Sequence, residues 1–375
     1  MADHTAIEWT DATWNPVTGC SVVSAGCTNC YAMRLAGTRL AHHPSRAGLT
    51  RDTKAGPVWT GAVRLNEEWL DQPLRWNRPR KIFVCAHGDL FAEAVPDAWI
   101  DQVFAVMALA PHHTFQVLTK RPKRMREYLS RDGNVRRIFE LACDMVVVDQ
   151  VPAVLLVEGI EDPGLMPSWP RVRLGNWPIP NVWLGVSVED QERSDERIPE
   201  LLETPAALRF VSAEPLLGPI NFTEVQAGEG KLNALTPFRW EDEIESWRGT
   251  SPDWEEAFLD WYQLSALPEP GPMYKGLDWV IIGGESGQGA RPMHPDWARS
   301  IRDQCHAAGV PFFFKQWGAW LGGGPGRFHS ENCRDLKDWG DGHYSALVTK
   351  KTAGRLLDGD VHDGFPQARD ERAGP

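Results

Sequence analysis

Lys81-Ile82-Phe83-Val84-Cys85-Ala86-His87 is the stretch that decides the fold, because its apolar and β-branched residues form a run of strand length. A helical pattern follows at Asp97–Met107, with Asp97 as its candidate N-cap, and Phe115–Thr119 is the next strand-like run. The same alternation returns in later strand-like runs, at 182–188, 208–212, 279–283 and 310–315. Strands that alternate with helices predict a parallel sheet. We therefore predict an α/β protein built as a full or partial parallel (β/α) barrel.

Two stretches interrupt this alternation and set the predicted domain boundaries. Residues 131–180 contain an apolar run followed by loop-like sequence, and residues 221–275 are rich in acidic residues and tryptophan. We predict that the second stretch is an inserted helical lid or a surface that binds a partner. The barrel, with its N-terminal loop, would then comprise residues 1–220 and 276–320, followed by a C-terminal extension at 321–375.

The overall composition favours a chain with a large packed core. Hydrophobic residues make up 42% of the 375 residues and charged residues 24%. The net charge of -12 argues against a protein that coats nucleic acid. It does not exclude a local basic groove. No apolar run approaches the roughly 20 residues that span a bilayer, so we expect no membrane association. An odd total of seven cysteines and the lack of a signal peptide predict a reducing, cytoplasmic location.

Three of these cysteines lie within eleven residues, in Gly19-Cys20-Ser21-Val22-Val23-Ser24-Ala25-Gly26-Cys27-Thr28-Asn29-Cys30-Tyr31. Six residues separate the first pair and two separate the second. Three thiolates close in sequence are typical of a metal or cluster site that leaves one coordination position to a ligand from outside the protein. Zinc with an external fourth ligand and a chance grouping are the alternatives.

Polar residues follow the strands of the predicted sheet. Side chains alternate between the two faces of a strand, so Cys85 and His87 share a face, with Asp89 beyond them if the strand continues. The equivalent positions after other strands are held by Gln116 and Lys120, Ser187 and Glu189, Ser212 and Glu214, Gly283, Gly284 and Glu285, and Lys315. The active site of a parallel barrel lies at the carboxyl ends of its strands, so we predict that these residues share a site. Solvated loop starts are the alternative.

The cysteine loop, ahead of alternating strands and helices, resembles the radical S-adenosylmethionine enzymes. The chain more closely resembles an uncharacterised phage and prophage family within or beside that superfamily. The matching segments are Trp14–Cys20, Cys27–Ala32, Gly88–Phe91, Leu118–Pro122, Gly185–Glu189, Ser212–Pro219, Gly283–Gly287, Phe314–Gly318 and Gly354–Gly359. They run from residue 9 to about residue 366 and miss both interruptions.

The resemblance implies that Cys20, Cys27 and Cys30 ligate three irons of a [4Fe–4S] cluster. The fourth iron would bind the amino and carboxylate groups of S-adenosylmethionine. One electron, from a reductant protein of the flavodoxin or ferredoxin type, would then cleave this cofactor to methionine and a 5′-deoxyadenosyl radical that abstracts a substrate hydrogen. The chain departs from the superfamily pattern in its first cysteine spacing, which is six residues rather than three. The element Gly283-Gly284-Glu285 also lies late in the chain, whereas the similar methionine-binding element of the superfamily follows the second strand.

The candidate roles follow from this resemblance. Asp89 is best placed for contacting the cofactor's amino group. The other cofactor-binding candidates are Ser187, Glu189, Ser212, Gly283, Gly284 and Glu285, and the catalytic candidates are Cys85, Lys120, Glu214 and Lys315. Cys85 could donate a hydrogen atom to a radical, although a lone cysteine in a strand is more often a small buried apolar residue.

The sequence does not decide the substrate, and it allows two competing functions. The phage resemblance and the basic segment Lys120–Arg131 indicate a nucleic acid or nucleotide substrate, although such a run is more often the solvated face of a helix. One competing function is a non-enzymatic iron–sulfur or zinc protein that binds a partner through the acidic insertion. The other is a barrel hydrolase that uses the Asp, Glu and Lys set, with structural cysteines.

Overall fold

The protein is described by a computed structural model that covers residues 5–148, 154–157, 171–174, 177–228, 230–236, 248, 253, 275–324 and 333–367. The chain divides into two compact units. The first unit comprises Met1–Ser187 and Glu203–Leu208, and the second comprises Val188–Leu202 and Arg209–Pro375.

The first unit is built on four parallel strands. In chain order, its strands are β1 (Ala12–Trp14), β2 (Val17–Thr18), β3 (Thr50–Thr53), β4 (Gly56–Trp59), β5 (Arg64–Leu65), β6 (Lys81–Val84), β7 (Thr114–Thr119), β8 (Val154–Val157), β9 (Arg171–Leu174) and β10 (Val182–Ser187). Its helices are α1 (Tyr31–Gly37), α2 (Glu67–Leu70), α3 (Asp97–Leu109), α4 (Pro122–Leu129) and α5 (Asn134–Val148). The parallel strands pair in the order β1, β6, β7, β10, and α3 lies in the connection from β6 to β7.

The core of this unit lies on these parallel strands. Ile82 and Val84 of β6 and Phe115 and Val117 of β7 are buried, as their apolar pattern predicts. Trp14 of β1 is also fully buried, with its ring centroid 5.7 Å from that of Phe115. Burial of side chains this large contributes roughly 1.5–3 kcal/mol each before conformational entropy is subtracted. Strand pairing therefore holds the carboxyl ends of β6, β7 and β10 at one edge.

One predicted strand ends earlier than its sequence suggests. The backbone of Cys85 has a φ of 55°, in the left-handed region, and β6 ends at Val84. The Gly88 amide then donates to the Cys85 carbonyl at 2.9 Å, which closes a turn. The prediction that Cys85, His87 and Asp89 alternate along an extended strand was therefore wrong, because a single strained residue redirects the chain.

The second unit combines a parallel sheet with a smaller antiparallel one. Its strands are β11 (Leu208–Ala213), β12 (Val225–Ala227), β13 (Gly230–Leu232), β14 (Trp279–Gly283), β15 (Phe312–Gln316), β16 (Trp320–Gly323), β17 (Asp335–Asp338) and β18 (Tyr344–Leu347). Its helices are α6 (Gln191–Glu203), α7 (Pro295–Ala308) and α8 (Lys350–Ala353). The order β11, β14, β15 is parallel, and the order β16, β18, β17 is antiparallel.

The described residues confirm an α/β fold, with a row of four parallel strands and the parallel pair β8–β9 in the first unit and a row of three parallel strands in the second. Among these residues, the parallel strands of neither unit close into a ring. Of the predicted lid at 221–275, the structure describes mainly the hairpin β12–β13, and Trp240, Trp247, Trp254 and Trp261 lie outside the described residues. No helix in the described part of the chain combines the length and apolar character needed to cross a membrane.

Candidate functional site

The cysteine loop begins at Gly19 and packs directly against the turn that follows β6. Gly19 has a φ of 97°, and a Cβ there would lie 2.2 Å from the Ala62 carbonyl oxygen. Its amide donates to the His87 carbonyl at 3.3 Å, and Gly19 forms a parallel bridge with Gly88. A Cβ on Gly88 would crowd the carbonyl oxygens of Gly19 and Val17 at 3.0 and 3.1 Å. Two glycines thus permit the loop to lie close to the carboxyl end of β6.

The three cysteines of the loop are free thiols in different local settings. Cys27 ends a 3₁₀ turn, Ala25–Cys27, and is buried, whereas Cys30 is the N-cap residue of α1. Burial raises the pKa of the Cys30 thiol, and the Met33 and Ala32 amides at the start of α1 oppose that shift. Burial also raises the pKa of Cys20 to about 12; the Asp89 carboxylate adds to this shift and the Arg121 cation opposes it. Cys20 and Cys30 are thus held as neutral thiols, which a bound metal would have to deprotonate.

The two metal groups predicted for the loop, zinc and a [4Fe–4S] cluster, separate their thiolate ligands by different distances. Tetrahedral zinc at about 2.3 Å from each sulfur places its thiolates about 3.8 Å apart. Among the described residues, the group with three potential ligand atoms within 4.8 Å of one another is elsewhere, at His294, Asp341 and His343. A [4Fe–4S] cluster binds each cysteine through a different iron and therefore separates the sulfurs more widely. Thiols are donors that both groups use, so the assignment of the loop to a cluster stays a prediction.

Arg121 holds the cysteine loop from the neighbouring strand end. Its Nη1 donates to the Cys20 sulfur at 3.4 Å and to Asp89 Oδ2 at 3.2 Å. Its Nη2 donates to the Ser21 carbonyl at 2.9 Å and hydroxyl at 2.5 Å, and its Nε donates to Glu93 at 3.2 Å. The Asp89 and Glu93 carboxylates outweigh the burial of the guanidinium, and the pKa of Arg121 is raised. A permanent cation therefore lies beside the loop.

Sequence reasoning missed this residue because Arg121 belongs to a basic run. The structure divides the run: Arg121 is buried, the Arg124 guanidinium donates to the carbonyls of Ala92 and Val95, and Lys123 is exposed. Only part of the segment is therefore a solvated face. The signal that could have found Arg121 is its place two residues after the end of β7.

Asp89 supports Arg121 with a fully occupied carboxylate. Oδ1 accepts the Thr119 hydroxyl at 2.7 Å and the Phe91 amide at 3.0 Å. Oδ2 accepts the Lys120 amide at 3.0 Å and the Arg121 guanidinium. These four donors match the acceptor capacity of a carboxylate. Asp89 thus connects the turn after β6 to the end of β7, and its contact with a cofactor stays a prediction.

Other predicted residues of the first unit lie at the same strand ends. Lys120 Nζ donates to the Ser187 hydroxyl at 2.7 Å, which joins the ends of β7 and β10. The Tyr31 hydroxyl donates to the Ala86 carbonyl at 2.5 Å and ties α1 to the turn after β6. Cys85 is buried, and burial raises the pKa of its thiol to about 12. The structure thus brings the three cysteines, Asp89, Lys120 and Ser187 to one edge of this unit.

His87 is a further polar residue at this edge. Arg46 Nη2 lies 2.8 Å from His87 Nδ1, so the guanidinium donates and the imidazole carries its proton on Nε2. Burial and the Arg46 charge lower the pKa of His87 to about 4. Arg46 is itself buried, and it also donates to the Ser45 hydroxyl at 2.6 Å. His87 is therefore a neutral hydrogen-bond donor next to the cysteine loop.

The second unit has its own polar cluster at the strand ends. Glu214 accepts a hydrogen bond from the Ser212 hydroxyl at 3.2 Å and pairs with Lys315 at 3.2 Å. A Cβ on Gly283 would lie 2.5 Å from Glu214 Oε1, so the glycine leaves room for that carboxylate. The lack of a side chain at Gly283 is thus explained by the position of Glu214, and its role in binding a cofactor stays a prediction. Ser212, Glu214, Gly283 and Lys315 are brought together.

The other candidates of this unit have separate partners. Glu285 binds Arg291 through both carboxylate oxygens, at 2.6 and 2.9 Å. A Cβ on Gly284 would lie 2.0 Å from the Trp317 carbonyl oxygen, so close backbone packing requires glycine there. Glu189 forms a buried ion pair with Arg197 at 2.9 Å. Their predicted roles in binding a cofactor stay predictions.

Comparison with known proteins places the chain in a family. The family described as protein of unknown function (DUF5131) matches residues 4–366, and the chain belongs to this family. No curated protein and no solved structure matches the chain.

Proposed function

We propose that this protein is a radical S-adenosylmethionine enzyme and that its cysteine loop holds a [4Fe–4S] cluster. The observation that carries the proposal is the contact of Arg121 with Cys20, in a loop of three free thiols at the carboxyl ends of parallel strands. We also propose that the parallel strands form a partial (β/α) barrel, the architecture whose strand ends hold active sites.

The bound cluster and S-adenosylmethionine would supply a 5′-deoxyadenosyl radical that abstracts hydrogen from a substrate. Cys20, Cys27 and Cys30 would be the protein ligands of the cluster. Arg121 offsets the negative charge that deprotonation of these thiols creates, and Asp89 holds Arg121 in position. Cys20 and Cys30 pack against the apolar cluster of Ala32, Met33, Ala36, Leu49 and Trp59, which limits the access of water.

The substrate class in this proposal is a nucleic acid or nucleotide. Its support is the cationic residues near the cysteine loop, of which Lys120 bonds through Nζ to a hydroxyl rather than to a carboxylate. A flavodoxin- or ferredoxin-type protein would supply the electron. Lys120, Glu214 and Lys315 remain the catalytic candidates, together with Cys85, whose burial requires a movement before it could reach a substrate.

Anaerobic reconstitution of the full chain tests the cluster. We expect a brown protein with about four irons per chain. Addition of dithionite and S-adenosylmethionine should then release 5′-deoxyadenosine. Cys27→Ser should remove both properties, whereas the matched control Cys143→Ser, in α5, should keep them.

Three outcomes would contradict the proposal. A colourless chain with one zinc on the cysteine loop would favour an interaction protein. Release of 5′-deoxyadenosine that survives replacement of all three loop cysteines would exclude the loop as its source. Hydrolytic turnover after complete removal of metal would favour a hydrolase.

A further inference from the structure

Three side chains of the second unit converge at a place that the proposed function does not use. His294, Asp341 and His343 each bring one potential ligand atom to within 4.8 Å of the others. His294 immediately precedes α7, and the other two residues lie in the turn between β17 and β18. The group therefore connects a helix to a hairpin that is distant from it in sequence.

The two imidazoles meet on one carboxylate. His294 Nε2 lies 3.0 Å from Asp341 Oδ2, and His343 Nδ1 lies 3.3 Å from Asp341 Oδ1. The second contact lacks hydrogen-bond geometry, so the buried His343 Nδ1 has no hydrogen-bond partner. A buried ring nitrogen in this state is costly unless a further group satisfies it.

The turn that contains Asp341 and His343 is stabilised by two glycines and by local hydrogen bonds. Gly340 and Gly342 have φ values of 82° and 90°, which favour glycine. Asp341 Oδ1 accepts the His343 amide at 2.9 Å, and the Trp339 amide donates to the His343 carbonyl at 3.1 Å. The Trp339 ring packs 5.0 Å from that of His294. The three ligand atoms are thus preorganised by the protein.

We propose that His294, Asp341 and His343 bind a divalent transition metal, with zinc as the best match, and that this metal ties the β17–β18 turn to α7. Two imidazole nitrogens and one carboxylate oxygen form an established type of zinc donor set, with a fourth position for water. Ligand bonds of about 2.0–2.2 Å in a tetrahedral site separate the ligand atoms by about 3.3 Å. The distance of 3.0 Å from His294 Nε2 to Asp341 Oδ2 is close to that value, and the one ligand atom from each of the three residues lies within 4.8 Å of the others.

Metal binding requires one proton to move on His294. Its Nδ1 accepts the Asp296 amide at 3.0 Å, so the free ring carries its proton on Nε2 and donates it to Asp341. Coordination through Nε2 places the ring proton on Nδ1 and ends the cap hydrogen bond to Asp296. The Asp296 carboxylate lies 3.6 Å from His343 Nε2. It is therefore close enough to accept a hydrogen bond from that ring when His343 binds the metal. The Asp296 amide is therefore a direct reporter of metal binding.

Zinc titration of a chain with Cys20, Cys27 and Cys30 replaced by serine tests the site without the thiols. We expect one zinc per chain, at least a tenfold loss of affinity in His343→Ala and in His294→Asn, and no loss in His306→Asn. Asparagine at 294 keeps a cap acceptor for α7 while it removes the imidazole. His306 is an exposed histidine of the same helix outside the group, so it is the matched control.

Cobalt(II) provides the second measurement, on the native-cysteine chain. Binding at the three residues should give visible d–d bands that are lost in His343→Ala, whereas any thiolate-to-metal charge-transfer band from the cysteine loop should survive that substitution. A zinc affinity that is the same in the His294 and His343 variants as in the control would overturn the site. So would cobalt bands that appear only together with the charge-transfer band, because the metal would then lie on the cysteine loop. Failure of the cluster in the first unit would leave this result unaffected.

Discussion

The Asp89 carboxylate and the Arg121 guanidinium form a buried ion pair in the first unit, with 3.2 Å between Oδ2 and Nη1. Only 7% of the Asp89 side chain and 6% of the Arg121 side chain are exposed. The same Nη1 donates to the sulfur of Cys20. The pair therefore links the carboxyl ends of β6 and β7 to the cysteine loop.

Asp89→Asn should destabilise the protein by about 3–5 kcal/mol, because it leaves a buried guanidinium with less compensation. Urea unfolding of the metal-free chain measures this free energy. Glu140→Gln is the control, since it breaks an exposed ion pair with Arg136 and should leave the unfolding midpoint unchanged. Equal midpoints for the two variants would contradict a supporting role for the Asp89 pair.

Arg121→Lys should lower the iron content after reconstitution although it keeps the positive charge. The guanidinium reaches Cys20, Asp89, Ser21 and Glu93 at once, and an ammonium cannot reproduce that fork. Iron per chain, measured beside Arg126→Lys, checks the prediction. Arg126 lies on α4 and pairs with Glu203 at the surface, so its variant should load normally. Full loading in both variants would show that the charge alone suffices.

His87 should stay neutral down to about pH 5, because its pKa is lowered to about 4 by burial and by Arg46. The unfolded chain protonates this residue near pH 6.5, so folding stability is lost as the pH falls from about 6.5 towards 4. The loss from His87 is on the order of 3 kcal/mol over that window. Histidine NMR titration checks the pKa directly.

Arg46→Gln should raise the pKa of His87 towards its ordinary value. It should also remove the donor that keeps the ring proton of His87 on Nε2. The variant removes a neighbouring cation that disfavours a second positive charge. A titration of His87 near pH 6.5 in the unmodified chain would contradict this account of the pair.

Gly284→Ala should destabilise the second unit more than Gly283→Ala. The new Cβ at 284 meets the Trp317 backbone oxygen at 2.0 Å, whereas the one at 283 meets the end of the Glu214 side chain at 2.5 Å. A side chain can move, so we expect at most about 1 kcal/mol at 283 and about 3 kcal/mol or more at 284. Thermal unfolding of both variants compares them. The reverse order would show that Glu214 is held more rigidly than the backbone.

Much of the parallel core could be predicted from apolar runs alone. The predictions for α3, β7, β10 and β14 were correct to within a few residues, because each has a strong helical or strand pattern. The hairpin β3–β4 is not among the predicted strands, because its first strand is largely exposed and no apolar alternation marks it. The sheet formed by β16, β18 and β17 was missed for the same reason, since β17 is exposed throughout.

The residues of the candidate site also divide into those that the sequence predicted and those that only the structure revealed. The spacing of Cys20, Cys27 and Cys30 identified the loop, and the strand ends identified Asp89 and Lys120. Arg121 was missed as a site residue because it belongs to a basic run. The sequence does not distinguish a cation that points into the protein from one that points to solvent. Arg46 and His87 are 41 residues apart, and their contact exists only once the segment between α1 and β3 packs against the turn after β6.

The amino-acid sequence by itself determined which segments become parallel strands and helices, because burial of periodic apolar side chains is a local pattern. It also determined that three thiols would share one short loop. Only the tertiary structure decided which charges face those thiols and which residues meet at His294, Asp341 and His343. Such contacts depend on the packing of distant segments, and a carboxylate or guanidinium has the same sequence signature whether it points inward or to solvent.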